Sequence, residues 1–159
     1  MKSWESLVDE FIIEANKHKV RMIMVGGGAV NFHGYQRHSA DVDFWIDTKP
    51  ENLLNLVKTF QSLGYEIEDF PDSVKNEEQN ISIKFSPVDL NLELITKFSI
   101  NKSFDQAYEE AEQVHINKKS MFGWRVLSYD SLITSKIKAG RPKDLLDISE
   151  LQRIREKDD

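Results

Sequence analysis

The sequence predicts one α+β domain over residues 1–159, in which a mixed β-sheet is flanked by α-helices. Its length of 159 residues suits a single hydrophobic core. Some segments repeat apolar residues at helical spacing, whereas others alternate apolar and polar residues as half-buried strands do. Hydrophobic residues make up 40% and charged residues 30% of the chain, proportions typical of a globular protein and not of a disordered one.

Helices are expected where apolar residues fall three or four positions apart. Pro50 and Pro142 suit the first turn of a helix, and Gly34 and Gly64 mark places where a helix ends. Ser128 is a good N-cap for the helix that follows it. The expected helices, in chain order, cover residues 3–18, 29–33, 50–63, 104–113, 128–139 and 142–155.

Strands are expected where short segments alternate in polarity or are wholly apolar. Trp45 is expected in the core, on the apolar side of its strand, and the turn at Ser86–Pro87 joins two strands into a hairpin. Residues 71–80 are polar and rich in turn formers, which predicts a surface loop. The expected strands, in chain order, cover residues 20–25, 41–47, 65–68, 81–85, 90–95, 114–117 and 124–127.

Composition excludes several classes of function. The chain has no cysteine, so it forms no disulfide, thiolate metal site or cysteine nucleophile. The formal charge of −6 and pI near 5.3 do not by themselves suggest a nucleic-acid binder. The first residues lack the apolar core of a signal peptide, and no apolar run is long enough to span a membrane. A cytoplasmic protein without a membrane partner is therefore expected.

The block from Val25 to Asp47 carries the strongest chemical signal. A buried strand leads into Gly26 and Gly27, whose backbone N–H groups can approach a phosphate without obstruction by a side chain. Asp41 and Asp43 lie two apart on a strand, so both carboxylates face the same side, with Cα atoms roughly 6.8 Å apart. This spacing suits carboxylates that share Mg²⁺ ions. Taken alone, an Asp-x-Asp strand is more often a solvated face.

Together, the glycines and aspartates resemble the mark of the DNA polymerase β-like nucleotidyltransferase superfamily. That mark is a hydrophobic residue, Gly and Gly or Ser, about ten residues, and then Asp-hydrophobic-Asp/Glu-hydrophobic. The sequence matches it at Val25–Gly27 and at Asp41–Phe44. The resemblance implies the nucleotidyltransferase fold for the single domain.

A closer resemblance is to bacterial minimal nucleotidyltransferases related to AbiEii-type toxins. Those proteins often read GGxAvxxxGxxRxTxDiD, and GGGAVNFHGYQRHSADVD stands in that place here, with Arg37 matching the arginine and Ser39 replacing the threonine. A second block, residues 138–148 (KAGRPKDLLDI), resembles their aGRpKDlxDi segment. The two blocks are the specific part of a resemblance that covers roughly residues 20–152.

The superfamily has a third metal-binding acid on a following strand. Asp89, Asn91 and Glu93 alternate onto one face there, and Glu93 fits best because LELIT precedes FDQAY as IDLLT precedes FEEAY in the relatives. Asp89 remains the alternative, since it can instead cap the turn after Pro87. The resemblance implies that Asp41, Asp43 and Glu93 are the catalytic ligands of two Mg²⁺ ions, with Mn²⁺ as a substitute.

The implied activity is transfer of a nucleoside monophosphate from an NTP to a hydroxyl group, with pyrophosphate as the leaving group. Gly26 and Gly27 would bind the β- and γ-phosphates, with Arg37 or Ser39 adding a donor. The acceptor would be tRNA, another RNA or a protein, in a toxin–antitoxin or phage-defence system. The resemblance leaves open whether this chain is the toxin or the antitoxin.

A basic segment supports the same interpretation. Residues 117–143 contain seven basic residues and one acid. Lys136, Arg141 and Lys143 bracket Gly140 and Pro142 at a helix junction, where they are predicted to contact the triphosphate or the acceptor. The alternative is that they form a solvated helix face.

Two other functions remain open. One is a small-molecule nucleotidyltransferase similar to antibiotic adenylyltransferases, which usually carry an additional helical domain that 159 residues leave little space for. The other is a degenerate, non-catalytic subunit that binds nucleotide or serves as the antitoxin.

Overall fold

The computed structural model describes residues 4–36, 41–85, 90–115 and 122–158. The strands are β1 Met22–Val25, β2 Asp41–Ile46, β3 Ile81–Phe85, β4 Leu90–Ile95, β5 Glu112–His115 and β6 Gly123–Val126. The helices are α1 Trp4–Lys17, α2 Gly26–Phe32, α3 Pro50–Ser62, α4 Asp72–Lys75, α5 Phe104–Glu110, α6 Tyr129–Ala139 and α7 Pro142–Asp158. None of these helices is both long and apolar enough to cross a bilayer.

The strands form one mixed sheet in the order β3-β4-β2-β1-β6-β5. β1 pairs antiparallel with β2 and parallel with β6, and β2 pairs parallel with β4. Each edge strand pairs antiparallel with its neighbour in the sequence, β3 with β4 and β5 with β6. The predicted α+β class and the predicted hairpin over residues 81–95 are confirmed.

The two faces of the sheet are covered by different helices. On one face, Phe44 of β2 packs on Phe11 of α1, which also stacks on Phe60 of α3 with ring centroids 5.9 Å apart. On the other face, Trp45 packs against Phe98 and Phe104, with centroids 5.4 and 5.1 Å away. The core therefore lies on both sides of β1 and β2, the central strands.

Trp45 is buried, as predicted, but the prediction that it lies on the face of β2 opposite the aspartates was wrong. Alternate residues of a strand point to the same face, so Trp45 shares a face with Asp43 and Asp41. Phe98, which packs against Trp45 at a tilt of 43°, also lines the cavity beside Asp43. Phe98 therefore connects the aromatic cluster of Trp45 and Phe104 to that cavity.

Three local predictions differ from the structure. Residues 65–68 form no strand, because no neighbouring strand pairs with them and the side chain of Gln61 bonds the carbonyl of Ile67 instead. The expected loop at 71–80 contains α4, whose first turn follows Pro71. The helix expected to reach residue 113 ends at Glu110, because β5 begins at Glu112 and pairs with β6.

A charged cluster joins α5 to the sheet at the end where β1 begins. Arg21 Nη1 lies 2.6 Å from Asp47 Oδ2 and 2.8 Å from Asp105 Oδ1. Lys49 Nζ lies 2.8 Å from Asp105 Oδ1. These pairs lower the pKa of the exposed Asp105 through hydrogen bonds from Lys49 and Arg21. Each cation of this cluster has a carboxylate partner within the protein.

Candidate active site

Pairing of β2 with β4 brings the predicted carboxylates together. The parallel register places Asp41 opposite Asn91, and Asp43 opposite Glu93. Neighbouring strands are about 4.8 Å apart, and paired residues of adjacent strands face the same side. The structure therefore places Asp41, Asp43 and Glu93 on one face at one end of the sheet, although Glu93 lies fifty positions after Asp43 in the sequence.

Neighbouring side chains hold the two outer carboxylates. Asn91 Nδ2 donates to Asp41 Oδ1 at 2.9 Å, and Ser82 Oγ donates to Glu93 Oε2. In the described part of the chain, no three acidic or histidine side chains converge closely enough to hold a metal ion. The donor set itself, three carboxylates, is the set that Mg²⁺ and Mn²⁺ prefer.

Asp43 lies at the centre of this group, and its carboxyl has a perturbed pKa. Burial, together with the charges of Asp41 and Glu93, raises the pKa of Asp43 from 3.8 to about 6, and Lys136 and Lys143 offset part of that rise. The metal-free site therefore carries more negative charge than its surroundings stabilise. A divalent cation would relieve that repulsion, so the residues fit a metal ion.

Gly26 lies close to the carboxyl group of Asp43. It has a left-handed φ of +62°, and a Cβ added there would lie 2.3 Å from Asp43 Oδ2. Only glycine accommodates both the backbone conformation and this contact without strain. The glycines were expected to precede a helix at residue 29, but α2 already begins at Gly26, so Gly26 and the buried Gly27 form its first turn. First-turn N–H groups have no partner within the helix.

A cavity of about 170 Å³ opens beside Asp43. Gly26 and Asp43 form one wall, and the α6–α7 corner forms the other with Lys136 and Arg141. Ile95 and Phe98 close the floor. The structure therefore brings two of the three predicted basic residues to the cavity. The third, Lys143, is exposed and lies close enough to lower the pKa of Asp43.

Two aspartates that the sequence analysis did not single out neutralise much of this basic wall. Buried Lys136 lies 3.3 Å from Asp144 Oδ1 and 3.0 Å from Asp147 Oδ2, and Arg141 Nε lies 2.6 Å from Asp144 Oδ2. The excess of positive charge was counted over residues 117–143, a range that ends one residue before Asp144. Asp144 and Asp147 are three positions apart on a helix, which places both on one face. This spacing was the signal from which the pairing could have been predicted.

The same cluster shifts the pKa of Asp144 in the opposite direction from that of Asp43. Complete burial alone would raise the pKa of Asp144, but hydrogen bonds from Arg141 and Lys136 hold it below the ordinary value. Asp144 is therefore a charged, internally compensated carboxylate. Lys136 is fixed by it at the cavity wall.

Some predicted residues cannot be placed. Arg37, Ser39 and the alternative acid Asp89 lie outside the described residues, as do Lys118 and Lys119 of the basic segment. Their roles stay predictions from the sequence. His33 Nε2, by contrast, lies 2.8 Å from the carbonyl oxygen of Leu127.

A glycine-led helix beside a carboxylate-bearing mixed sheet is the arrangement that the sequence motif predicted, and the comparisons agree with it: the chain is a nucleotidyltransferase. It belongs to the family described as "Nucleotidyltransferase of unknown function (DUF6036)", whose model matches residues 6–158. The predicted fold and enzyme class are confirmed. The closer resemblance to AbiEii-type toxins stays a prediction.

Among solved structures, the chain is similar to ANT(2")-Ia, crystallised in complex with adenylyl-2"-tobramycin. The TM-score is 0.50 with 14% sequence identity, over 92% of this chain and 85% of that chain. At this identity the likeness concerns the fold. No curated protein matches the sequence significantly.

Proposed function

We propose that this protein transfers a nucleoside monophosphate from an NTP to a hydroxyl group of RNA or of a protein, with divalent metal ions held by Asp41, Asp43 and Glu93. The observation that carries the proposal is the β2–β4 register, which sets Asp43 beside Glu93 on the face that Gly26 approaches. The raised pKa of Asp43 adds to it, because such a site gains from binding cations.

Each part of the site would have its own role in binding the NTP. Two Mg²⁺ ions, or Mn²⁺ in their place, would supply positive charge to the phosphates and to the attacking hydroxyl oxygen. The first-turn N–H groups of Gly26 and Gly27 would donate to the β- and γ-phosphates. Arg37 or Ser39, just before β2 in the sequence, would add a further donor.

The α6–α7 corner would bind the triphosphate from the opposite wall. Lys136 is held by Asp144 and Asp147, so it would present a fixed ammonium group at the cavity. Arg141 keeps more than half of its side chain exposed while bonding to Asp144, which leaves part of its guanidinium free for an oxygen ligand. Lys143 would contribute as an exposed point charge.

A macromolecular acceptor is the first candidate. The cavity of about 170 Å³ beside Asp43 is lined by described residues of β1, β2, β4, α6 and α7. An acceptor hydroxyl carried on an RNA end or a protein side chain needs no enclosed pocket of its own. The resemblance of two sequence blocks to AbiEii-type toxins supports the same class of acceptor, tRNA among them, and a role in a toxin–antitoxin or phage-defence system.

A small-molecule acceptor is the second candidate. It is favoured by the fold likeness to ANT(2")-Ia, whose complex contains adenylyl-2"-tobramycin. The similarity covers 85% of that chain, so the length of 159 residues does not separate the two candidates.

The test is a labelling assay with Mg²⁺ and each of the four α-labelled NTPs. Cellular RNA, cellular protein and an aminoglycoside panel serve as separate acceptors. We expect label on RNA or protein, and a loss of at least about 100-fold in Asp43→Asn, because the central metal ligand is removed. Asp72→Asn, an exposed acid on α4, is the matched control and should keep full activity.

The other outcomes separate the alternatives. Label on aminoglycosides alone would establish the second candidate. Transfer that persists in Asp43→Asn would show that the metal assignment is wrong. No transfer from any NTP would favour the non-catalytic subunit.

A further inference from the structure

A second cleft, larger than the cavity at Asp43, lies at the opposite end of the sheet. It has a volume of about 260 Å³ and lies where β1 and β6 begin, whereas Asp43 and Gly26 lie where β1 ends. We call it the β6 cleft. Its lining includes Asn16, Lys19, Tyr108, His115, Trp124 and Arg125.

The central observation is that Arg125 forms no ion pair with a carboxylate among the residues that the structure describes. Its guanidinium lies 4.0 Å from the ring centroid of Tyr108, and Nη1 donates to the Tyr108 carbonyl at 2.8 Å. Arg21 lies on the same ring at 4.6 Å, yet it bonds to both Asp47 and Asp105. Both arginines contact the ring of Tyr108. Arg21 is neutralised by carboxylates of the protein, whereas Arg125 is half-buried and lines the cleft.

No acid compensates Arg125 from elsewhere in the cleft. The described lining contains Lys19 and His115 but no aspartate or glutamate. The sequence between β5 and β6 contains Lys118 and Lys119 and also lacks an acid. The chain as a whole carries −6, so this cleft is a local reversal of the overall charge. A half-buried cation without a counter-charge favours an anionic ligand.

The walls of the cleft are held in place by contacts that do not use Arg125. Asn16 Nδ2 donates to the Gly123 carbonyl at 2.7 Å, and Asn16 Oδ1 accepts from the Gly123 N–H at 3.2 Å. These bonds tie α1 to the β5–β6 hairpin. The indole N–H of Trp124 is buried and has no hydrogen-bond partner in the described structure. The Trp124 side chain also lines the cleft, so a ligand bound there changes the surroundings of the indole.

We propose that the β6 cleft binds a phosphate group, as a second site separate from the carboxylates. Arg125 lies over the ring of Tyr108, and its guanidinium can bind phosphate through two parallel hydrogen bonds. Lys19, which also lines the cleft, adds a second charge. The volume of about 260 Å³ leaves space for a phosphate ester. The phosphate belongs to a free mononucleotide or to one phosphodiester of an RNA strand.

Indole N–H signals in nuclear magnetic resonance spectra test this directly, because the chain has three tryptophans and Trp124→Phe identifies the signal of the cleft. Inorganic phosphate, AMP and adenosine are titrated in turn, with chelator present so that no metal occupies the carboxylates. We expect phosphate and AMP to shift the Trp124 signal, and adenosine to leave it unchanged. The same shift with adenosine would overturn the proposal.

Two variants test the residues. Arg125→Gln and the exposed Lys19→Gln should each weaken AMP binding, the first at least tenfold. Arg155→Gln is the matched control, because Arg155 also lies over a tyrosine ring, 3.9 Å from Tyr129, but outside the cleft. Should Arg125→Gln fail to fold, Lys19→Gln decides. Wild-type affinity in both folded variants would overturn the proposal.

A six-nucleotide uridine RNA, compared with AMP, then distinguishes the sources of the phosphate. Tighter binding of the RNA, weakened by salt, identifies a backbone phosphate, and tighter binding of AMP identifies a free nucleotide. Asp43→Asn should leave all of these shifts unchanged while abolishing transfer. A failure of the β6 cleft is thus distinguishable from a failure of the proposed function.

Discussion

Asp43 and Asp144 lie on opposite walls of one cavity, yet their surroundings act on them in opposite directions. Asp43 has two other carboxylates as close neighbours, and burial together with those charges raises its pKa to about 6. The side chain of Asp144 has no exposed surface, and hydrogen bonds from Arg141 and Lys136 lower its pKa. Burial acts in the same direction on both carboxyls. The neighbouring acids at Asp43 and the bonded cations at Asp144 therefore explain the difference.

The comparison separates a site that needs a ligand from a site that is already complete. The carboxylates on β2 and β4 lack sufficient positive charge in the folded chain, so binding of a cation is favourable there. The cluster of Lys136, Asp144 and Asp147 supplies its own balance and fixes the α6–α7 corner. Three substitutions test this contrast.

The largest expected effect on stability is that of Lys136→Met. It leaves Asp144 and Asp147 buried with one cation fewer, and breaking a buried ion pair from one side costs about 3–5 kcal/mol. Thermal unfolding should show a fall in Tm of roughly 10 °C for a chain of this size. Lys138→Met, an exposed position two residues further along α6, is the control and should change stability by less than about 0.5 kcal/mol. Equal Tm values for both variants would contradict internal compensation.

An intermediate effect is expected from Gly26→Ala. A methyl group at φ +62° meets Asp43 Oδ2 at 2.3 Å, so it strains the backbone by about 1–2 kcal/mol and pushes the carboxylate away. Gly64→Ala is the control, because Gly64 has φ +95° with no atom within 4 Å of an added Cβ. Both variants should lose similar stability in chemical denaturation. Only Gly26→Ala should lose transfer activity, and equal activities would show that the Gly26–Asp43 contact is unimportant.

The smallest effect, opposite in sign, is expected from Asp43→Asn in metal-free protein. The folded pKa of about 6 exceeds the ordinary 3.8, so this group makes the wild type less stable as pH rises from about 4 to about 6. The variant should therefore unfold at a higher Tm at pH 7.5, by roughly 2–4 °C, and at the same Tm near pH 3.5. Added Mg²⁺ should raise the Tm of the wild type and not of the variant. A lower Tm for the variant at pH 7.5 would refute the charge excess.

Much of the fold was predictable because its signals are local. Pro50 begins α3, Ser128 caps α6 by accepting from the Ser131 N–H, and Gly140 ends α6 with a φ of +62°. The acid and apolar alternation of β2 also gave the placement of Asp41 and Asp43 on one face. These features depend on residues within a few positions of one another.

The failures concern contacts between distant segments. Residues 65–68 have the alternation of a strand, but a strand requires a partner whose presence no local pattern reveals. The prediction for Trp45 failed for a different reason. Trp45 and Asp43 are two positions apart on one strand, so their common face could have been predicted from the sequence. Pairing of Lys136 with Asp144 and Asp147 depends on how α7 folds back on α6. The β6 cleft was not foreseen, because its lining comes from four separate segments of the chain.

The hairpin of β3 and β4 has a consequence for how the site assembles. Glu93 pairs with Ser82 across the hairpin and with Asp43 across the parallel ladder. Its position is therefore fixed by the strands on both sides of β4. A shift of β4 by a single position would move Glu93 to the opposite face and put a leucine beside Asp43. A chain with β4 misaligned would therefore contain all three carboxylates but would not place them on one face, so the proposed metal site requires the native register of β4.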